Sequence, residues 1–236
     1  MPLNRRTLII AALLLAGSPT ARAQPSADPS GHWQGAVQTS SLQMPFDLDL
    51  AKDASGRFSG TLSVAAQQIK GLPLTRVEVD GTAVHFQARS DQPFTGVLSD
   101  DRQSITGEFL ISGASLPFTL TRTGAAQIDA PRKSAAVSKQ LEGSWTATLV
   151  VQGMPQELVM TLVNDPDGSA SGRIVNENEG GLELPISIVQ QGSTVTIETL
   201  PLASTFTATL NENGTELDGT IAQGSATAHV TFRRSK

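Results

Sequence analysis

Cysteine and tyrosine are absent from this 236-residue sequence, which has only two tryptophans. Without cysteine the chain forms neither a disulfide framework nor a thiolate zinc site. Surfaces that bind sugars or single-stranded nucleic acid depend on exposed aromatic platforms, which this composition hardly supplies. Charged residues make up 17% and hydrophobic residues 39% of the chain. This balance excludes a disordered polyampholyte and favours one or two packed domains.

The first 23 residues predict an export signal. Arg5 and Arg6 precede an apolar run over residues 8–16, and the segment ends in Ala21-Arg22-Ala23, a small-x-small cleavage pattern. We expect cleavage after Ala23 and a periplasmic or secreted protein, with the general and twin-arginine routes both open. No apolar run reaches the roughly 20 residues that a bilayer span needs, so we expect no membrane span.

Removal of the signal leaves an acidic protein. It takes away three arginines and no acidic residue, so 14 basic residues remain against 22 acidic ones, a net charge of −8. Such a surface repels phosphate backbones and anionic membranes. We therefore expect no nucleic-acid partner, and the charge serves to keep an exported protein in solution.

The remaining sequence is one unit repeated after 112 residues. The matched pairs include Gly31 and Gly143, Trp33 and Trp145, Pro73 and Pro185, Phe94 and Phe206, Gly107 and Gly219, and Arg122 and Arg234. The register slips by one residue where Gly81 meets Gly192. Matches of this regularity predict a tandem duplication.

The duplication sets the predicted domain boundaries. We predict a signal peptide at 1–23, a flexible lead-in at 24–30, a first repeat at 31–124, a linker at 125–140 and a second repeat at 141–236. The linker is rich in alanine, serine and lysine, so we expect it to be exposed and to contain some helix.

Each repeat has the sequence pattern of β-strands separated by turns. Apolar and polar residues alternate, glycine or aspartate interrupts them about every eight to twelve residues, and helical periodicity is absent. We predict an all-β protein with two tandem eight-stranded antiparallel up-and-down β-barrels, because closure removes exposed strand edges. An open sandwich is the alternative. Alternation places Phe46, Leu48 and Leu50 inside the first barrel and Asp47 and Asp49 outside it.

A Gly-x-Trp sequence opens each repeat and an arginine closes it. These residues are Gly31, Trp33 and Arg122 in the first repeat and Gly143, Trp145 and Arg234 in the second. The pattern resembles that of the calycin superfamily, which includes lipocalins, fatty-acid-binding proteins and avidins. The resemblance implies a structural pair in each repeat, with the arginine lying across the tryptophan at the closed end of a calycin-like barrel.

Further motifs recur within the repeats. In the first repeat they are Gly56 to Gly60, Leu72-Pro73, Phe94 to Gly96 and Gly107 to Phe109. Each repeat thereby resembles a small exported bacterial β-module of unassigned function that often precedes α/β-hydrolase or serine β-lactamase-like domains. The second repeat departs from that pattern at Ala208 and Ile221. The resemblance implies a non-catalytic accessory unit, present here in two copies.

The histidines offer no repeated site. His32, His85 and His229 each align with a residue that does not titrate in the other repeat. With no cysteine and no close histidine pair, we predict no metal site and no cofactor.

The other groups that could carry chemistry, namely carboxylate pairs, a glycine–serine string and an oxygen-rich turn, favour a structural role. The pairs Asp47 with Asp49 and Glu177 with Glu179 each share a strand face that we expect to be solvated. The string Gly168 to Gly172 has alanine at its centre and so lacks the serine of a nucleophile elbow. The oxygens of Asn164 to Gly168 fit a plain hairpin better than a calcium loop. We predict no catalytic residue, and the ligand-binding residues stay undefined.

These observations favour an exported non-catalytic binding module. Its first hypothetical ligand is a small apolar molecule, held inside a barrel whose mouth is lined by residues 69–74 and 179–184. The alternative is an interaction with another envelope protein or a structural accessory role, and a hydrolase comes last. The oligomeric state stays open.

The export signal leads to a first prediction. The protein recovered from the periplasm or medium should begin at Gln24, because peptidase cleaves after the small residue at Ala23. Intact mass spectrometry checks this, with an Ala23→Leu variant as the uncleaved control. A periplasmic protein that retains residues 1–23 would contradict the prediction.

Overall fold

The computed structural model describes residues 27–130 and 132–235, so the predicted signal peptide lies outside it. Burial alternates along many segments with the two-residue period of a strand. The described residues form β-strands and three short 3-10 turns and no α-helix.

Nine strands belong to the first repeat: β1 (Gly31–Gln38), β2 (Gln43–Lys52), β3 (Phe58–Val64), β4 (Ile69–Pro73), β5 (Arg76–Asp80), β6 (Ala83–Gln87), β7 (Phe94–Leu98), β8 (Ser104–Ile111) and β9 (Ala114–Gly124). The other nine are β10 (Ser134–Ala135), β11 (Gly143–Val151), β12 (Met154–Asn164), β13 (Ser169–Asn176), β14 (Leu182–Gln191), β15 (Thr194–Thr199), β16 (Ser204–Leu210), β17 (Glu216–Gln223) and β18 (Ala226–Arg234). The 3-10 turns span Ala65–Gln67, Glu177–Glu179 and Leu200–Leu202.

Each repeat forms one antiparallel sheet. In the second, the strands β11 to β18 close into an eight-stranded barrel, because β11 pairs with β18 and β13 pairs with β14. The first sheet has the order β4-β3-β2-β1-β9-β8-β7-β6-β5 and curls without a β4–β5 ladder. The prediction of an all-β protein with two tandem barrels is confirmed, and the second barrel is the one closed by continuous strand pairing.

The two sheets differ where one strand passes from one neighbour to the next. In the second barrel β14 is continuous: its first part pairs with β13, and Ile186 onward pairs with β15. In the first barrel the equivalent strand is broken after β4. There Leu74 N–H donates to Gly60 O at 2.9 Å and Thr75 N–H donates to Gln87 O at 2.9 Å. These two bonds bridge β3 and β6 across the break.

The break explains the one-residue slip between the repeats. From Pro73 to Gly81 the first repeat has one residue more than the second has from Pro185 to Gly192. The additional residue falls where β4 ends and β5 begins, as an inserted residue in a strand disrupts its ladder locally.

The interiors of the two barrels are filled by different side chains. In the first, Phe86 stacks on Phe94 at a centroid distance of 4.6 Å, and Phe94 stacks on Phe109 at 4.2 Å. The second interior is mainly aliphatic, with one ring pair, Phe206 and Phe232, at 5.3 Å. Duplicated cores tolerate such exchanges when the total volume is kept.

Asp49 points out of the first barrel, as expected, but it is not solvated. It is only 5% exposed. Its Oδ1 lies 2.8 Å from His32 Nδ1 and accepts the Gln127 N–H at 2.7 Å. The expectation of a solvated side chain is therefore corrected: residues after β9 fold back over β2, and hydrogen bonds compensate the carboxylate for lost water.

The segment expected to be an exposed linker is in part built into the second barrel. Its strand β10 pairs with β13, and Val137 is only 8% exposed within the core of that barrel. Residue 131 aside, the segment contains no helix. Alternating small and apolar residues suit a short strand at a sheet edge, which the composition alone did not reveal.

Neighbouring strands approach each other closely at several glycines, of which Gly107 and Gly219 are an equivalent pair in the two repeats. A Cβ on Gly107 would lie 2.0 Å from Thr95 O, and one on Gly219 would lie 2.2 Å from Thr207 O. Both contacts are with backbone, which cannot move aside as a flexible side chain does.

We expect Gly107→Ala to lower the free energy of unfolding by about 1–3 kcal/mol or more, because the new methyl group overpacks against backbone. Urea denaturation measures the change. Gly124→Ala is the matched control, since nothing lies within 4 Å of a Cβ there. Equal stability of the two variants would contradict the claim that close strand approach excludes a side chain at Gly107.

Candidate functional site

The two predicted Trp–Arg pairs lie at one end of each barrel. The Arg122 guanidinium lies 4.4 Å from the ring centroid of Trp33, and that of Arg234 lies 4.5 Å from the ring centroid of Trp145. Trp145 Nε1–H donates to Leu141 O at 2.9 Å, as Trp33 Nε1–H does to Pro29 O. We call this the closed end of each barrel and the opposite one the mouth end.

The arginines also bind backbone carbonyls. Arg234 donates to Gly214 O from Nε and to Glu142 O from Nη1, both at 2.8 Å, and to Gln140 O from Nη2. In the first barrel, burial lowers the pKa of Arg122, an effect opposed by the charge of Asp28. The contacts tie the segment before each barrel to its last strand, a structural arrangement rather than a chemical one.

That these pairs close the barrels stays a prediction with a direct test. Arg234→Ala should lower the free energy of unfolding by about 1–3 kcal/mol, because several carbonyls lose their donor and the indole loses its cation. The neighbour Arg233 is exposed and pairs with Glu216, so Arg233→Ala should change stability by less than about 0.5–1 kcal/mol. Thermal and urea unfolding compare the two variants, and equal losses would refute the closing role.

The structure brings the two predicted mouth loops together. Leu72 and Ala88 of the first barrel form a buried apolar cluster with Leu182 and Leu184 of the second. The barrels thus meet along β4, β14 and the turn Leu200–Leu202. Residues 69–74 and 179–184, which we expected to line separate openings, instead pack against each other.

Polar contacts fasten the same junction. Arg89 donates from Nη1 to Glu179 Oε2 at 3.0 Å and holds Asp91 in a two-bond pair at 3.0 and 3.1 Å. This pairing lowers the pKa of Asp91. Ser90 donates to Gly180 O from both N–H and Oγ. Arg89 was not identified from the sequence. The second repeat has apolar residues in the equivalent loop, and this difference between the repeats is the signal that could have pointed to it.

Exposed apolar side chains collect at the mouth ends. Six of the nine exposed large hydrophobic residues found among the described ranges lie there: Leu42, Leu110, Val150, Val151, Met154 and Leu200. Monomeric proteins rarely group such residues without a function.

Half of these six belong to the hairpin of β11 and β12, which we call the rim hairpin (residues 150–155). Val150 is 62% exposed, Val151 44% and Met154 60%. The turn residues Gln152 and Gly153 have φ of 51° and 81°, which gives the tight turn favoured between twisted strands. Val151 pairs with Met154 and continues the inward-facing positions of β11 beyond the barrel wall. Its side chain is exposed where β11 pairs with β12 alone, because β18 pairs with β11 only at Trp145 and Thr146.

Only acidic charges belong to the strands of the rim hairpin. The chain has no lysine or arginine from residue 140 to residue 172. Glu157 is exposed on β12, and its N–H donates to Asn178 Oδ1 at 2.6 Å, which places the turn Glu177–Glu179 beside it. An apolar tip with neighbouring carboxylates is the result.

Two of the cavities among the described residues lie at the first barrel. One, of about 270 Å³, lies at β5 to β7 and is lined by residues that include Arg76, Glu78 and His85 as well as the core residues Phe86 and Phe94. The other, of about 350 Å³, lies at the closed end of the first barrel beside Asp101. Neither encloses a buried acid or base.

The candidate chemical groups are not assembled into one site. His32, His85 and His229 lie on three different strands and contact Asp49, Thr95 and Asp218, respectively. Within 27–130 and 132–235, no group of three or more His, Asp or Glu residues could hold a metal ion. No helix in those ranges has the length and apolar character needed to cross a membrane.

Comparison with known proteins gives only distant likenesses. No family model matches the chain, and no curated protein does. One similar solved structure is a protein of Bacteroides fragilis NCTC 9343 described provisionally as an outer membrane protein, with 11% identity, 88% of this chain and 98% of that chain covered, and a TM-score of 0.26. Another is a DUF3598-family protein of unknown function from Nostoc punctiforme PCC 73102, with 13% identity, coverage of 87% and 96%, and a TM-score of 0.27. Neither assigns a fold or a function to this chain.

Proposed function

We propose that this protein is an exported, non-catalytic binding module that captures a polypeptide partner at the mouth end of its second barrel. The exposure of Val150, Val151 and Met154 on the rim hairpin carries the proposal. The predicted signal supports a periplasmic or secreted location, and the repeats at 31–124 and 141–236 act as two calycin-like barrels without cofactor or metal.

A partner outside the barrel fits better than a small apolar guest inside it. The interior of the second barrel is packed with Met160, Leu162 and Val195, which are all 0% exposed. Binding pockets for small molecules usually enclose about 300–1,000 Å³. The second barrel contributes no residue to either of the cavities described above. The apolar surface available to a ligand is therefore at the rim.

The chemistry of the rim defines the partner. Burial of an exposed valine or methionine side chain contributes about 1.5–3 kcal/mol when it is complete. The carboxylates of Glu157 and Glu177 beside the hairpin attract cations. An amphipathic segment with an apolar face and flanking lysine or arginine meets both conditions.

Substitution of the rim tests this function. The variant Val151→Ser with Met154→Ser should bind a synthetic amphipathic peptide of leucine and lysine about tenfold more weakly than the unmodified mature protein, because two apolar contacts are lost. Fluorescence anisotropy of the labelled peptide measures the change.

The matched control is Val163→Ser with Val189→Ser, which removes two valines that are 44% and 55% exposed on the outer wall of the same barrel. Its affinity should stay within about twofold of the unmodified protein. Absence of peptide binding, or equal losses in both variants, would reject the rim as the binding surface. So would native mass spectrometry that finds a small apolar molecule retained equally by all three proteins.

A further inference from the structure

The second barrel contains a gap that the linker fills. β13 and β14 pair only near the mouth end, from the pair Arg173–Pro185 to the pair Asn176–Leu182. Toward the closed end the two strands separate. β10 occupies the space between them: Ser134 pairs with Ala170, and Ser134 Oγ accepts the Ile188 N–H at 2.7 Å. Ala170 and Ile188 are each 2% exposed beneath it.

The first barrel has the same gap between β3 and β5, which we call the seam (Phe58–Gly60 and Arg76–Asp80). β3 pairs with β4 only from Thr61 onward, and β5 pairs with β6 alone. No strand among the described residues lies between them. Within the described parts of the chain, the seam is thus an unpaired edge of the kind that proteins normally cover.

Exposure confirms the contrast between the two gaps. Phe58 takes the place of Ala170 after the 112-residue shift, and Val77 takes the place of Ile188, since Val77 pairs with Phe86 as Ile188 pairs with Ile197. Their counterparts are buried, but Phe58 and Val77 are only partly so. The Phe58 ring contacts a cation: Lys52 Nζ lies 5.1 Å from its centroid.

The repeat, together with the predicted cleavage site, indicates which residues would have to fill the seam as β10 fills the other gap. The shift holds before the barrels, because Arg122 and Arg234 bind Ser30 O and Glu142 O, which are 112 residues apart. It places Arg22 and Ala23 opposite Ser134 and Ala135. Both precede the predicted cleavage site, so we expect the mature chain to lack a counterpart of β10.

We propose that the seam of the first barrel accepts an extended segment of another polypeptide as an added β-strand. The segment copies β10: a small hydroxyl residue accepts the Val77 N–H, and small neighbours fit beside Phe58. The carboxylate of Asp80 on β5 favours a basic flank, as Asp167 binds Lys133 beside β10, whereas Glu78 is already paired with Arg76. The inference rests on the proposed export and is independent of the rim hairpin.

The probe for this site is the chain's own strand as a free peptide, Arg-Lys-Ser-Ala-Ala-Val-Ser (residues 132–138). It should bind the mature protein saturably at one site, because the gap of the second barrel is already filled. Val77→Pro removes the seam-facing N–H yet leaves the β6 side of β5 intact, so it should weaken binding about tenfold. Phe58→Ala and a Ser134→Ala peptide should each weaken binding in the same direction.

Val97→Ala, on the outer face of β7 away from the seam, is the control and should leave affinity unchanged. Circular dichroism confirms folding of each variant, and Phe58→Ala keeps the test valid if Val77→Pro unfolds. Lack of saturable binding, or binding that neither seam variant reduces, would overturn the proposal. An exported protein that retains residues 1–23 would overturn it as well. The rim variant should bind this peptide normally, so failure of the proposed function is distinguishable from failure here.

Discussion

A strand edge without a hydrogen-bonding neighbour leaves backbone N–H and C=O groups unpaired, and the need to cover such edges organises this molecule. The second barrel meets it by closing β11 on β18 and by drawing β10 into its one incomplete gap. The first meets it at most positions, with Leu74 and Thr75 bridging the interrupted strand. Among residues 27–130 and 132–235, a short seam toward the closed end of the first barrel is left unpaired.

Duplication allowed the two barrels to diverge under this common constraint. The first has stacked phenylalanines and a broken strand, whereas the second has an aliphatic core and a continuous strand. Their junction uses the mouth ends, where Leu72 meets Leu184 and Arg89 pairs with Glu179. We propose that two other surfaces bind partners: the rim hairpin at the mouth end of the second barrel and the seam toward the closed end of the first. A protein with filled barrels can bind through its edges and tips rather than its interior.

Much of the fold follows from the sequence because alternation and turn residues are local signals. The inward positions of Phe46, Leu48 and Leu50 are found as expected. Asp49 shows the limit: alternation gives its direction, but its burial depends on residues after β9 that return over it. Strand β10 escaped detection for the same reason, since two residues have no period and acquire their role from the gap that they enter.

The candidate surfaces were still harder to predict. Val151 lies in register with core residues, and it is exposed only because the hairpin extends above the wall. Phe58 lies in an ordinary strand, and its position differs from that of Ala170 only in the unfilled gap beside it. The duplication itself supplied this comparison, which a single repeat would not have offered.

Hydrogen–deuterium exchange of the mature protein tests the role of edge pairing most directly. Amides of β5 that face the seam should exchange much faster than those of the matching part of β14, because β10 covers β14 and nothing in the described chain covers β5. Peptides covering residues 76–80 and 187–191 give the comparison. Equal, strong protection in both peptides would contradict the account, since it would mean that the seam of the first barrel is already closed.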